Sequence, residues 1–357
     1  MSTYSIMLFP PADSLETDVV LRALVSAHRY LAELKGVART IPNEGLLIST
    51  LSLQEAQSSS EIENIITTQD ALYKYQIQPQ NADPMSKEVA YYAEGLAIGF
   101  KQVRDSGLLT LNTILAVQAV LEGNDAGFRK TPGTELKNEQ TGEVVYEPPS
   151  PEEVPEMMSV LERFIHDDSK LDPLVRMALI HHQFETIHPF YDGNGRTGRI
   201  VNILFLVKEG LLDMPILYLS RYISQTKSAY YQGLQQVRDN HDWEPWLVYM
   251  LHGVAVTARH TTRLIEEIRV LLQEYKQRIR KDYRFYSQDL INNIFRHPYT
   301  KVAFLEHDLT VSRATATRYL DALSADGILH KHRLGRENYY INRALVELLF
   351  NLPELDK

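Results

Sequence analysis

Cysteine is absent from all 357 residues, which excludes disulfide scaffolds, thiolate-bound zinc, iron–sulfur clusters and thiol nucleophiles. Long apolar runs are missing too: nothing approaches the ~18 uninterrupted apolar residues of a spanning helix. The opening MSTYSIMLFPP lacks a basic segment and is too weakly apolar for a secretory signal. The expectation is a soluble, cytoplasmic protein with no membrane partner. Positive charge is also in deficit, with 37 Lys and Arg against 46 Asp and Glu, which does not suit a molecule that binds nucleic acid over its whole surface. Glycine and proline are scarce, at 17 and 16, and 44% of residues are apolar. Collagen-like, low-complexity and disordered classes are thereby excluded.

The length exceeds what one core usually organises and predicts two or three units. Charge divides the chain as well. Residues 276–343 hold 13 Lys and Arg against 7 Asp and Glu, so a basic C-terminal unit follows an acidic body. Helical spacing appears at 16–35, through Val19, Leu21, Leu24, Ala27 and Leu31, and again in one or two helices within 43–67. It recurs at 85–105, 109–122, 153–167, 172–187, 225–238 and 243–280. Residues 199–212 are apolar on nearly every face and predict a central buried helix. Between 127 and 155 the chain turns Pro-rich around a short VVY, which reads as a hairpin with Gly142 in its turn.

The segment IHPFYDGNGRTGRIVNILFLV (187–207) carries the chemistry. Gly193, Gly195 and Gly198 stand directly before the apolar helix. Glycines let backbone amides converge, and a helix N-terminus adds unpaired N–H groups with partial positive charge, which together suit phosphate. Arg196 and Arg199 supply forked donors, Asp192 a hard carboxylate for Mg²⁺, and His188 a proton acceptor near neutral pH. Residues 193–198 formally match G-x-G-x-x-G, but a helix and not a strand precedes them, and no Gly-Lys-Ser/Thr follows. His182, Glu185 and His188 lack the spacing of either zinc-helix motif. A plain Gly-rich helix connection would leave this gathering of His, Asp, Asn and two Arg to chance.

HPFYDGNGRTGR (188–199) resembles the signature of the Fic family, H-P-F-x-[DE]-G-N-G-R-x-x-R, at every fixed position. The resemblance implies a mainly α fold, a helical core with a small hairpin flap, and transfer of AMP from ATP to a Ser, Thr or Tyr hydroxyl of a target protein. His188 would be the general base and Asp192 would hold Mg²⁺. Gly193, Asn194 and Gly195 would form the anion hole, with Thr197 and Gly198 also in the ATP-binding loop. Arg196 would meet the β-phosphate and Arg199 the γ-phosphate. Phe190 would pack into the core and orient the loop. The hairpin resembles the flap that aligns a target segment, through Lys137, Val144 and Val145; a mere surface hairpin is the alternative.

Residues 59–64, Ser-Ser-Glu-Ile-Glu-Asn, resemble the family's inhibitory pattern [ST]-x-x-x-E-[GN], with Ser59, Glu63 and Asn64 at its fixed positions. That implies a brake in which Glu63 pairs with Arg199 and competes for the γ-phosphate, within an inhibitory helix at about 57–67. The same residues would equally suit a helix N-terminus, where the dipole favours acids. Tyr230 and Tyr231 are candidates for nucleotide contact or for the core, and Trp243 and Trp246 for core anchors. Some relatives carry Asn where Arg238 stands, which leaves adenine preference open.

The expected division is 1–84 for an N-terminal helical region, 85–260 for the catalytic core with its flap at about 130–148, 261–285 for a helical linker and 286–357 for a C-terminal domain. Within that last domain, two short helices around LTVS and a basic hairpin resemble a winged helix-turn-helix. Ser312 would cap its second helix. Arg313, Arg318, Lys331, Arg333 and Arg336 would reach phosphates of DNA, unless the domain docks protein or dimerises. The resemblance further implies ATP and a target protein as partners, allows self-modification and a homodimer, and leaves two other readings: a DNA-binding regulator that senses nucleotide, and removal of AMP at the same site.

Overall fold

The computed structural model describes residues 9, 11, 15–41, 43–81, 83–137, 142–334, 337–353 and 355. Fifteen α-helices dominate these residues. In chain order they are α1 (Asp18–Ala38), α2 (Glu44–Ile62), α3 (Gln69–Ile77), α4 (Pro84–Ser106), α5 (Leu111–Glu122), α6 (Val154–His166), α7 (Pro173–Ile187), α8 (Asn194–Lys208), α9 (Leu219–Gln225), α10 (Lys227–Asn240) and α11 (Trp243–Asp282). The C-terminal unit adds α12 (Gln288–Arg296), α13 (Val302–Leu309), α14 (Arg313–Ala325) and α15 (Arg343–Phe350). A two-residue β1 (Leu136–Lys137) pairs antiparallel with β2 (Val144–Tyr146). A second sheet, ordered β3–β5–β4, joins Tyr299–Lys301, Glu337–Ile341 and His330–Leu334. No helix among the described residues is long and apolar enough to cross a membrane.

The starts of these helices follow from local chemistry. Side chains of Thr17, Asn43, Thr68, Asp83, Thr110, Asp172, Ser287 and Ser312 each accept a backbone N–H from the first turn that follows. Proline in the first turn of α4 and α7 adds a preset φ. On α1 the buried stripe is Val20, Leu24, Ala27, Leu31 and Leu34, which face α11; Val19 and Leu21, expected on that stripe, are exposed. Helix α7 is buried from Leu174 to Ile187 and α8 along most of its length, so this pair forms the centre of the body. α8 starts at Asn194, five residues before its expected start, because Gly193 takes a left-handed φ of 74° and opens the helix there.

α4 crosses α8 at a glycine. A Cβ on Gly99 would lie 2.6 Å from Leu204 Cδ1 and 2.9 Å from Val117 Cγ2 of α5, so a larger residue would have to displace both side chains. Gly99→Val should therefore destabilise the fold by about 1–3 kcal/mol through overpacking. A melting temperature equal to the parent's would show that the two helices yield freely.

Three boundaries differ from the sequence reading. α2 stops at Ile62, so the Ser59–Asn64 pattern straddles a helix end where a helix running to 67 was expected. The short α3 and α9 were not foreseen. Residues 261–282, the greater part of the expected helical linker, continue the helix expected over 243–280 as α11, an unbroken helix of 40 residues. The C-terminal unit packs closely on the body. Gln54 of α2 donates to Leu349 O at 3.2 Å, Ser49 donates to Arg296 O at 3.1 Å, and Tyr73 stacks between Tyr299 and Phe350. Arg221 of α9 donates to the carbonyls of Leu352 and Pro353.

Candidate active site

The loop joining α7 to α8 starts where Pro189 denies the helix its next N–H. His188 closes α7 in the left-handed region at φ 49°, which histidine tolerates better than most residues. Its Nδ1 is buried and has no hydrogen-bond partner among the described residues. Burial, with the Arg238 and Arg129 guanidiniums next in effect, lowers the imidazole to about 4, so it is neutral at pH 7 with an unprotonated ring nitrogen. Phe190 is fully buried against Phe128 and Phe184.

Helix α8 opens without a capping side chain, a helix N-terminus of the kind that suits an anion. A Cβ at Gly193 would lie 2.5 Å from Glu122 Oε1, and one at Gly195 would lie 2.5 Å from Glu63 Oε1. A Cβ at Gly198 would lie 2.8 Å from Glu185 Oε1. The Asn194 side chain does not face the cradle: its Oδ1 accepts from Phe190 N at 2.8 Å and its Nδ2 donates to Phe190 O at 2.9 Å. It braces the loop, and any anion contact from this residue is left to its backbone. Thr197 is fully buried. Asp192 is largely exposed and accepts from Gly193 N at 2.7 Å.

Arg199 and Arg196 are both buried and share one carboxylate. Glu63 Oε1 accepts from Arg199 Nη2 at 2.7 Å, and Glu63 Oε2 accepts from Arg196 Nε at 3.0 Å. Arg199 also donates to Ser59 Oγ at 2.7 Å and Ser59 O at 2.8 Å. Arg196 reaches Glu122 at 2.9 Å and Glu88 at 3.5 Å as well. Glu63 stands at the C-terminal end of α2, which corrects the helix-N-terminus alternative. A carboxylate there opposes the helix dipole, so the two guanidiniums and not the helix account for its position. Asn64 follows at φ 61° and accepts from Lys227 Nζ at 3.3 Å.

The remaining expected residues divide. Tyr230 is buried, 2.9 Å from His181 Nε2 through its hydroxyl, in a cluster with Trp246. That makes it a core residue, while Tyr231 is exposed. Trp243 and Trp246 are buried. On the hairpin, Lys137 pairs with Glu135 at 2.9 Å, and Val144 and Val145 are exposed. Residues 138–141 of that hairpin lie outside the described residues. In the C-terminal unit Ser312 caps α14, and Arg313, Arg318, Lys331 and Arg333 are exposed. Lys331 is bound to Asp321 at 2.7 Å, and Arg336 lies outside the described residues.

Sequence reasoning did not single out Arg129, Tyr146, Glu88 or Glu122. They lie on separate elements, and no local spacing connects them to the loop. Taken together, the site offers an amide cradle for phosphate, two buried guanidiniums, an open carboxylate and a neutral imidazole, the groups needed to transfer a phosphate-linked moiety to a hydroxyl.

Three family models match consecutive parts of the chain: Fic/DOC family N-terminal over 21–101, Fic/DOC family over 108–206, and the protein adenylyltransferase SoFic-like C-terminal domain over 271–345. A probable protein adenylyltransferase of Aquifex aeolicus is 36% identical over 84 residues, which is 24% of this chain and 26% of that protein. A protein adenylyltransferase of Caenorhabditis elegans is 32% identical over 120 residues, or 32% of this chain and 22% of that protein. The matched stretch thus spans about a quarter of these relatives' length. A Fic family protein from Desulfovibrio desulfuricans shares the fold at a TM-score of 0.56 and 20% identity, covering 91% of this chain and 96% of that one. Fic-1 of Caenorhabditis elegans aligns at a TM-score of 0.52 and 20% identity over 68% and 71%.

Proposed function

From the premise that this chain belongs to the Fic/DOC family, we propose that it is a protein adenylyltransferase restrained by its own Glu63. The observation that carries the proposal is the sharing of one carboxylate between Arg196 and Arg199, directly over the α8 N-terminus and in the same loop as His188. A carboxylate in that position mimics a phosphate held by two guanidinium forks. Relatives named protein adenylyltransferases support the choice of AMP as the group transferred.

In the proposed reaction, neutral His188 takes the proton of a target hydroxyl as its oxygen bonds to the α-phosphorus of ATP. The bond from that phosphorus to the bridging oxygen breaks, and pyrophosphate leaves. The α8 amides, Arg196 and Arg199 would hold the phosphates and offset the charge that builds on them. Asp192 fits a Mg²⁺ site, because Mg²⁺ is usually held by one or two carboxylates with the substrate's phosphates, and this carboxylate is open beside the cradle. When bound, the ion would neutralise phosphate charge. The exposed Val144 and Val145 support β2 as an edge for an extended target segment. The helix–strand–helix–helix–hairpin order supports a winged helix for the C-terminal unit.

Incubation of the Glu63→Gly protein with α-labelled and, separately, γ-labelled ATP tests the proposal. Protein labelled only from the α-phosphate, whether on itself or on an added target, is the expected result. Label from the γ-phosphate would instead establish phosphorylation, and no label from either would remove the transferase reading.

A further inference from the structure

Helix α7 ends on four carbonyls that cannot bond within the helix. Pro189 has no N–H to offer Glu185 O, and Phe190 N is taken by Asn194 Oδ1. Each carbonyl nonetheless has a donor, and none of the donors belongs to α7 or α8. Arg238 Nη2 reaches Glu185 O at 3.2 Å, and the Tyr146 hydroxyl reaches Thr186 O at 3.0 Å. Arg129 Nη2 reaches Ile187 O at 3.3 Å, and Arg129 Nε reaches His188 O at 2.8 Å. The same Arg129 uses its backbone N–H on Pro189 O at 2.9 Å and its Nη2 on Pro149 O at 2.5 Å.

Two of the three donor residues flank or lie on the hairpin: Arg129 lies just before it and Tyr146 lies on β2, and the Pro149 carbonyl that Arg129 also reaches follows it. Arg238 of α10 completes the group, with its guanidinium 4.0 Å from the centre of the Tyr146 ring. Both arginines are buried, and two cations at a helix C-terminus also match its dipole.

We infer that Arg129, Tyr146 and Arg238 are positioning residues that clamp the hairpin to the end of α7, so that the target-aligning strand and the His188 base are held as one unit. This rests on the transferase reading for the roles of strand and base, while the clamp itself is a statement about structure. Its consequence is that a target segment laid along β2 meets the base at a fixed offset, set by hydrogen bonds to consecutive carbonyls. Orientation of this kind favours the chemical step and leaves nucleotide binding, which occurs at the other end of the loop, unaffected.

The test compares Tyr146→Phe and Arg129→Lys, each in the Glu63→Gly background. Tyr146→Phe removes one hydroxyl and keeps the ring over Arg238, so it is the milder variant. Arg129→Lys keeps the charge but cannot fork onto several carbonyls. The expected result is a fall in the maximal self-labelling rate, about threefold to tenfold for Tyr146→Phe and about tenfold to a hundredfold for Arg129→Lys, with ATP affinity by calorimetry within twofold of the parent. Amide exchange should quicken together in 144–146 and 186–190, and the His188 Cε1–H resonance should shift. Exchange that quickens in the hairpin alone, with the His188 resonance unmoved, overturns the clamp. So does a loss of ATP affinity matching the loss of rate. The exchange and resonance readouts need no transfer, so a failed transferase reading is distinguishable from a failed clamp.

Discussion

His188→Ala should lower AMP transfer by about a hundredfold to ten-thousandfold, the usual contribution of a positioned general base. The imidazole is the only proton acceptor in the loop that burial keeps neutral; Asp192, the carboxylate there, is exposed and turned to Gly193 N. Alanine is not silent for the fold, because the position has φ 49° and a left-handed alanine costs roughly 1 kcal/mol. His188→Asn is therefore the better companion, since asparagine accepts that conformation and still cannot act as the base. Both variants should bind ATP as the parent does, measured by calorimetry, and both should fail to label. Transfer retained within threefold in the asparagine variant would sink the general-base role.

Glu63→Gly should raise ATP affinity and self-labelling, each by about tenfold to a hundredfold, from the charge-assisted bonds it frees on both arginines. Arg199 would stay in place, because Ser59 holds it through both Oγ and the backbone carbonyl. Arg196 would stay as well, held by Glu122 at 2.9 Å. The substitution thus empties one arm of each fork without releasing either. Glycine also suits the site, as Glu63 lies beyond the last turn of α2. Glu63→Gln should fall between the two, because its amide keeps a hydrogen-bond acceptor and loses the charge. Unchanged nucleotide affinity in Glu63→Gly would mean that the carboxylate does not occupy a phosphate position.

Much of this site is local and could be read directly. The run from His188 to Arg199 places a proton acceptor, a carboxylate, three glycines and two arginines in one short segment, and the apolar helix behind it signals burial. The partner of Arg199 was legible only through its pattern, since 136 residues separate it from Glu63. The second use of Glu63, on Arg196, was not legible, because nothing in the spacing of two arginines says they converge on one oxygen pair. The end of α2 was ambiguous for a physical reason: Ser58 to Asn64 offers serines and acids that suit a helix start, and only the packing against Arg199 settles the direction. The carbonyl clamp was out of reach altogether. Its donors come from a turn-rich segment and from α10, and a guanidinium aimed at carbonyls leaves no periodicity behind.

α11 has a consequence for how the molecule responds to load. At 1.5 Å per residue its 40 residues make a strut of about 60 Å that serves the body at one end and the C-terminal unit at the other. The short connection 283–287 is itself packed on the C-terminal unit, with Tyr283 bonded to Asp326 and Phe285 stacked on Tyr319, and the chain returns along α15 to fasten Leu349 to Gln54 of α2 and Leu352 and Pro353 to Arg221 of α9. The C-terminal unit is therefore held through the strut and also on α2, α3 and α9, and Glu63 caps the first of these three helices. A displacement of the basic hairpin is therefore expected to strain the anchor at Gln54 of α2, nine residues before the carboxylate that fills both arginine forks.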